Sequence, residues 1–155
     1  METLLANPDL VLKLGLSVII GALIGLEREL DAMPAGFRTH MLVCLGATLF
    51  TILSIAYPGG DPTRIASQIV VGIGFLGAGA IFKAEGSTRG LTTAADLWAL
   101  AAIGMAIGFG EYVLALVATI VVLLMLMLKK MPFFKNFVQK HHLFQKRIEK
   151  EAPPQ

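Results

Sequence analysis

Five apolar stretches separated by short polar loops dominate the sequence. They cover residues 8–26, 41–57, 65–82, 94–109 and 112–128. A helix needs about 20 mainly apolar residues to cross the hydrocarbon core of a bilayer, and the turns that flank the shorter stretches extend them toward this length. The pattern predicts an all-α membrane protein, with five transmembrane helices in residues 1–130 and a separate tail in residues 131–155.

Cap and turn residues predict where these helices begin and end. Asn7-Pro8 and Asp61-Pro62 each place a proline at the first helical position, directly after an N-cap residue. Thr93–Asp96 resembles a capping box, with Asp in place of the usual Glu or Gln. Gly108–Gly110 predicts a tight turn between the fourth and fifth helices.

The composition agrees with a membrane protein. Of the 155 residues, 55% are hydrophobic and 15% are charged, whereas soluble domains average roughly 45–50% apolar and about 25% charged. A disordered chain is excluded because it combines low hydrophobicity with high charge. The single cysteine, Cys44, excludes a disulfide within the chain and a thiolate metal cluster, and we interpret it as a small buried hydrophobic residue.

The basic residues predict an orientation. If the chain crosses the membrane five times, eleven of the 13 Lys and Arg residues lie on the side that holds the C-terminal tail. Positively charged loops stay in the cytoplasm. The N-terminus is therefore predicted outside and the C-terminus in the cytoplasm of a multi-pass protein.

The predicted tail combines an apolar face at helical spacing with basic residues. The face contains Phe134, Phe137, Val138, His141, Gln145 and Ile148, and the basic residues are Lys135, Lys140, Lys146, Arg147 and Lys150. This pattern is typical of an amphipathic helix that lies on an anionic lipid surface. The alternative is a solvated tail whose lysines only set the topology.

Glycines recur at spacings that favour close helix packing in lipid, where small residues let two backbones approach. They are Gly21, Gly25, Gly72, Gly74, Gly77, Gly79, Gly104 and Gly108. Packing within one subunit is the simpler interpretation for most of them, and a homodimer interface is the alternative. Residues 72–77 also match G-x-G-x-x-G, but no strand precedes them, so we reject a dinucleotide site.

The polar residues outside the tail form a candidate functional cluster at the helix ends. Its members are Glu27, Arg28, Glu29, Arg38, Thr39, Asp61, Arg64, Arg89, Thr92, Thr93 and Asp96. All except Asp61 and Arg64 are expected on the cytoplasmic side. Ionisable groups at membrane depth are costly and usually paired. The expected pairs join the carboxylates of Glu27, Glu29 and Asp96 to Arg28, Arg38 and Arg89.

This cluster is either a structural network of ion pairs or a binding site. As a site, the carboxylates of Glu27 and Asp96 are predicted to bind a hard cation, and Mg²⁺ is the candidate although the sequence fixes no cofactor. Arg89, Thr92 and Thr93 at a helix N-terminus suit an anion equally well. The spacing alone favours neither ligand.

Catalysis finds no support in the sequence. Ser17, Ser54 and Ser67 have no histidine partner predicted at membrane depth, so an activated nucleophile is missing and the protein is predicted not to be an enzyme. The basic tail lacks a nucleic-acid-binding fold. The lipid bilayer, a second copy of the chain and another membrane protein are the expected partners.

Five ordered strings resemble the MgtC/SapB family of bacterial inner-membrane proteins. They are Gly25–Glu29, Ala35–His40, Asp61–Ile65, Gly72–Ile81 and Gly90–Ala95 with Trp98. The resemblance covers roughly residues 15–115. It implies a five-helix membrane domain in the bacterial inner membrane, a link to growth in low magnesium and, in some intracellular pathogens, a link to virulence.

The better-known members of the family that this chain resembles carry a soluble cytoplasmic domain after the fifth helix, and the chain differs from them at this point. Here the tail Lys129–Gln155 is too short for a stable domain. We expect a protein of magnesium homeostasis that senses an ion or ligand, or that modulates a membrane partner. The alternatives are a Mg²⁺ transporter or channel formed between subunits and, with less support, an intramembrane enzyme.

Overall fold

The computed structural model describes residues 8–56, 61, 63–84 and 87–130. The elements in chain order are α1 (Pro8–Leu30), α2 (Phe37–Ala56), α3 (Arg64–Ala80), β1 (Phe82–Ala84), β2 (Ser87–Arg89), α4 (Leu91–Phe109), α5 (Tyr112–Met127) and a 3₁₀ turn (Leu128–Lys130). The chain divides into two compact units, Met1–Val122 and Leu123–Gln155, and the contacts below all lie within the first. The predicted tail, residues 131–155, lies outside the described residues.

The five helices coincide with the five apolar stretches, but three of them extend further into polar sequence, since α4 begins at Leu91 rather than at residue 94. α1 continues through Glu27–Leu30, and α2 begins at Phe37 rather than at Met41. A hydropathy pattern ends at the first charged residue, whereas the backbone hydrogen bonds of a helix continue through polar residues. The additional turns carry most of the charged residues described below.

Within the described ranges, three helices are long and apolar enough to cross a membrane: α1, α2 and α4, with 23, 20 and 19 residues. α3 and α5 are apolar but shorter, with 17 and 16 residues. Large apolar side chains face outward, including Phe75 at 83% and Val71 at 71% exposure, a surface that suits hydrocarbon better than water. A helical protein with three helices that could span a membrane is confirmed, whereas five membrane crossings and their orientation stay a prediction.

α2 packs between α1 and α4, and glycines on these two helices face its backbone. A Cβ on Gly21 would lie 2.7 Å from the His40 carbonyl oxygen, and one on Gly104 would lie 2.6 Å from the Cys44 carbonyl oxygen. Gly25 and Gly108 approach α2 as closely. Because any side chain at these positions would meet backbone or Cβ atoms, the sequence must supply glycine for the three helices to pack at this distance.

The glycines of α3 have a different environment. Gly77 lies in ordinary contact with Ala94 of α4, at 3.6 Å from a Cβ built on it, whereas Gly72, Gly74 and Gly79 have no neighbouring atom within 4 Å of such a Cβ. For these three glycines, the predicted packing within one subunit does not occur among the described residues. α3 instead contacts the bundle through the opposite set of side chains, including Ile73, which belongs to the buried cluster between α2, α3 and α4.

A short β-hairpin replaces the loop predicted before α4. Phe82 pairs with Arg89 and Lys83 with Thr88 in an antiparallel register. The hairpin leads into Gly90, whose φ of 88° is left-handed and whose missing Cβ would lie 1.9 Å from the Ala80 carbonyl oxygen. α4 therefore begins at Leu91, and the predicted capping box at Thr93–Asp96 is wrong because these residues lie inside the helix.

Candidate functional site: a buried ion network where three helices meet

Ionisable side chains are buried where α1 ends and α2 and α4 begin, a region that we call the Arg28 end. Arg28 is 1% exposed, His40 0%, Asp96 4% and Glu27 6%. Burying a charged group without a partner is costly. The contacts between these side chains therefore decide whether the three helix ends are stable together.

Arg28 is at the centre of this group. Its Nε donates to Oε2 of Glu27 at 2.8 Å, and its Nη1 donates to Oδ2 of Asp96 at 3.4 Å. Its Nη2 lies 3.5 Å from Oδ2 of Asp31. A guanidinium has five N–H donors in a planar fork, so one arginine can serve carboxylates from both α1 and α4.

His40 joins α2 to the same group. Its Nδ1 donates to the Gly36 carbonyl oxygen at 2.9 Å, and its Nε2 lies 3.0 Å from Oδ1 of Asp96. Asp96 of α4 thus contacts α1 through Arg28 and α2 through His40. We call Glu27, Arg28, Asp31, His40 and Asp96 the Arg28 network.

Glu29 has a structural role next to the network. Its Oε2 accepts a hydrogen bond from the backbone N–H of Phe37 at 3.0 Å, which caps the free N-terminus of α2. A Cβ on Gly36 would lie 1.7 Å from the same oxygen, so the glycine makes room for the carboxylate. The loop between α1 and α2 also contains Ala32 at a φ of 51°, a left-handed conformation that is uncommon for alanine.

The expected pairing of carboxylates and arginines is therefore correct for Arg28 alone. Arg28 contacts Glu27 and Asp96 as expected, and also Asp31, which the sequence did not single out. Arg38 and Arg89 are exposed and have no ion-pair partner among the described residues. The expected pairs involving these two arginines do not form in the described part of the chain.

The carboxylates of Glu27 and Asp96, the predicted metal ligands, interact with other side chains of the protein. Glu27 accepts from Arg28, and the two oxygens of Asp96 face Arg28 and His40. In the ranges that the structure describes, no group of three or more His, Cys, Asp or Glu residues is arranged to hold a metal ion. We therefore treat Glu27 and Asp96 as ion-pair partners of Arg28 and derive no metal chemistry from them.

The threonines of the predicted functional cluster at the Arg28 end differ in how exposed they are. Thr92 is exposed and Thr39 is half-buried. Thr93 is 1% exposed, and its hydroxyl oxygen has no hydrogen-bond partner within the described ranges. Proximity in sequence therefore does not place Arg89, Thr92 and Thr93 in one common site.

Asp61 and Arg64 lie at the opposite end, where α2 ends and α3 begins, and do not join the network. Oδ1 of Asp61 accepts hydrogen bonds from the backbone and hydroxyl of Thr63, which lower the pKa of the Asp61 carboxyl below its ordinary value. Asp61 does not cap α3. Oγ of Ser54 on α2 accepts from the backbone N–H groups of Ile65 and Ala66 instead.

Sequence reasoning missed His40 as a functional residue. It belongs to one of the five strings of the family resemblance, and it is the one histidine outside the tail. A buried histidine in the first turn of an apolar helix needs polar partners, so this position was a usable signal. Its partner Asp96 lies 56 positions further along the chain, a distance over which spacing in sequence is uninformative.

These features define a helical protein with helices that could span a membrane, in which the buried ionisable side chains of the described residues lie at one end. The MgtC family model matches residues 14–132. The chain therefore belongs to the MgtC family.

Individual relatives agree with this assignment. The chain is 40% identical over 144 residues to the "Putative magnesium transporter YhiD" of Escherichia coli K12, which covers 87% of this chain and 67% of that protein. It is 48% identical over 113 residues to "Protein MgtC" of Salmonella typhimurium LT2, covering 73% and 49%. It is 49% identical over 106 residues to "Protein MgtC" of Brucella abortus, covering 68% and 44%. The chain thus spans about half the length or less of these MgtC proteins, and no solved structure matches it significantly.

Proposed function

We propose that this chain is a non-conducting membrane protein of magnesium homeostasis that modulates a membrane partner through the polar residues exposed at the Arg28 end. The link to magnesium is supported by family membership and by the name of the relative "Putative magnesium transporter YhiD".

One observation carries the proposal: the polar residues of this end divide into a buried set and an exposed set. The buried set, Glu27, Arg28, His40 and Asp96, is engaged within the protein. Arg38, Arg89 and Thr92 are exposed, and the two arginines are without ion-pair partners in the described residues. Exposed guanidinium groups at one end of the bundle suit an acidic or otherwise anionic surface.

The location of this surface follows from the charge distribution along the chain. Eleven of the 13 basic residues fall on one side of a five-helix arrangement, which favours a cytoplasmic Arg28 end in the bacterial inner membrane. The proposed partner surface therefore lies at or near the cytoplasmic membrane face. A homodimer stays a prediction, and the outward-facing glycines of α3 are the positions at which a second copy is expected.

Transport is the second candidate, because it is the activity in the name of the YhiD relative. An ion path would need polar groups through the hydrocarbon layer. The middles of the described helices contain no Asp, Glu, Lys, Arg or His. The buried hydroxyls of Ser17, Thr48 and Thr51 donate to backbone carbonyl oxygens. These contacts favour a packed bundle over a conducting one.

Complementation of a low-magnesium growth defect tests the proposal. Arg38→Gln and Arg89→Gln are expected to lose the growth rescue while their abundance in the membrane stays at the parent level, because both side chains are exposed and unpaired within the described chain. Arg64→Gln is the matched control, since Arg64 is also exposed but lies at the opposite end. Full rescue by both Arg38→Gln and Arg89→Gln would contradict the proposed contact surface.

A further inference from the structure

An apolar groove runs along the outside of the bundle between α2 and α3. Its volume is about 610 Å³, within the range of about 300–1,000 Å³ that is usual for sites of small molecules. Residues of α2 and α3 form its walls, and the buried Ala101 of α4 lies at its base. The side chains of Leu42, Phe50 and Leu76 at its rims are exposed. The groove is therefore open on its outer side, where a bilayer would supply hydrocarbon.

Two glycines widen this groove. Gly46 of α2 and Gly72 of α3 both line it, and a Cβ built on either of them would have no neighbouring atom within 4 Å. Packing inside the chain does not require glycine at these positions, whereas a Cβ on Gly104 would collide with α2. Glycine is a poor helix former. Both positions therefore lower the helix propensity and leave space for a bound molecule.

One end of the groove has a basic residue. The α2 wall includes Leu42, Gly46 and Phe50, which are spaced four residues apart and share one face of the helix. The preceding position of this row is Arg38, which is exposed and has no ion-pair partner in the part of the chain that the structure describes. Side chains of a helix lean toward its N-terminus, so the guanidinium extends beyond the apolar part of the groove. The dipole of α2 favours an anion at this same end.

We infer that the groove binds one acyl chain of an anionic phospholipid, with the phosphate of the headgroup at Arg38 and Thr39. The lining residues of α2 extend from Thr39 to Phe50, about 16 Å along the helix. One leaflet contributes about 15 Å to the hydrocarbon core of a bilayer, so an acyl chain that begins at the membrane surface matches the groove in length. The guanidinium of Arg38 and the hydroxyl of Thr39 are donors that suit phosphate oxygens.

The opposite end of the groove is less suited to an anionic headgroup. Ile65 and Gln68 of α3 line it, and the neighbouring Arg64 lies within electrostatic range of the Asp61 carboxylate. A carboxylate beside this arginine weakens the attraction for a phosphate. The charges therefore favour a headgroup at Arg38 over one at Arg64.

The lipid site goes beyond the proposed function and does not require it, because binding of a phospholipid is measured without magnesium and without a protein partner. Arg38 belongs both to the lipid site and to the proposed contact surface. Gly46 belongs to the lipid site alone, since it lies within the groove and carries no polar group. A substitution at Gly46 therefore tests the lipid site independently of the contact surface.

Native mass spectrometry of the full chain in detergent tests the headgroup contact, with dioleoyl phosphatidylglycerol as the anionic probe and dioleoyl phosphatidylcholine as the zwitterionic probe. We expect the parent protein to prefer phosphatidylglycerol. Arg38→Gln is expected to weaken binding of phosphatidylglycerol about tenfold, the effect of losing a hydrogen bond to a charged group, whereas the control Arg64→Gln is expected to bind it as the parent does. Equal binding of both lipids by the parent, or equal losses in the two variants, would overturn the inference.

Gly46→Leu tests the groove itself. Its side chain occupies the space of the acyl chain, so binding of phosphatidylglycerol is expected to fall at least about tenfold, while the midpoint of thermal unfolding does not decrease. Gly15→Leu is the matched control, because a Cβ on Gly15 also has no neighbour within 4 Å and Gly15 does not line the groove. Unchanged binding in Gly46→Leu would overturn the inference. Loss of a dimer in Gly46→Leu with unchanged lipid binding would show that a second copy occupies the groove instead.

Discussion

Replacing Arg28 with methionine is expected to lower the free energy of unfolding by about 3–5 kcal/mol, the usual effect of removing one partner of a buried ion pair. Arg28 is 1% exposed, and its guanidinium contacts the carboxylates of Glu27 and Asp96. Methionine retains part of the side-chain length but removes the charge and all five donors. Denaturant unfolding in detergent, followed by circular dichroism, measures the difference.

Arg38→Met is the matched control for this experiment. It makes the same chemical change at the same end of the bundle, but Arg38 is exposed and has no ion-pair partner within the described residues. Its effect is expected to stay within about 0.5 kcal/mol, as for most surface substitutions. If Arg28→Met and Arg38→Met have the same unfolding curves, the Arg28 network does not stabilise the helix ends.

The second large effect is expected for Gly104→Ala. A Cβ at this position would lie 2.6 Å from the Cys44 carbonyl oxygen and 2.8 Å from the Cβ of Ala47. Both are fixed parts of α2, so α4 must move away, and overpacking of this kind costs about 1–3 kcal/mol. A lower thermal midpoint and less folded protein in the membrane are the expected readouts.

Gly74→Ala is the control, because Gly74 lies within α3 and a Cβ there would have no neighbour within 4 Å. Alanine is a better helix former than glycine by up to about 1 kcal/mol. The same substitution is therefore expected to be neutral or stabilising at Gly74 and destabilising at Gly104. Loss of stability in Gly74→Ala of the size expected for Gly104→Ala would show that outward-facing glycines of α3 pack against something, such as a second copy.

Much of the fold could be predicted from the pattern of apolar residues alone. The five stretches and the five helices coincide, since each stretch is bounded by local turn chemistry such as Gly110, whose φ is 86°. The helix ends were less predictable. In these additional turns Arg28 and His40 both contact Asp96 of α4, and Glu29 accepts from the backbone N–H of Phe37. The pattern of apolar residues does not contain this information.

The site could be predicted only by its region. Charges were correctly expected to gather at one end, because the bilayer excludes them from the middle of the helices. The partner of each charged side chain depends on which helix faces meet, and the sequence pattern does not show this. Arg28 was correctly paired with Glu27 and Asp96, but Glu29 caps α2 instead of pairing with an arginine, and His40 was overlooked. The packing of Gly21 and Gly104 on α2, and not of Gly74, depends on the same tertiary arrangement.

The central claim is that the exposed polar end acts on a partner while the bundle itself does not conduct magnesium. Purified protein in liposomes that contain a Mg²⁺-sensitive dye tests it most directly, with Arg38→Gln as a second preparation. We expect Mg²⁺ entry at the rate of protein-free liposomes for both preparations, although only the parent protein rescues growth in low magnesium. Saturable Mg²⁺ entry that increases with the amount of parent protein would contradict this claim, whether or not Arg38→Gln also shows it.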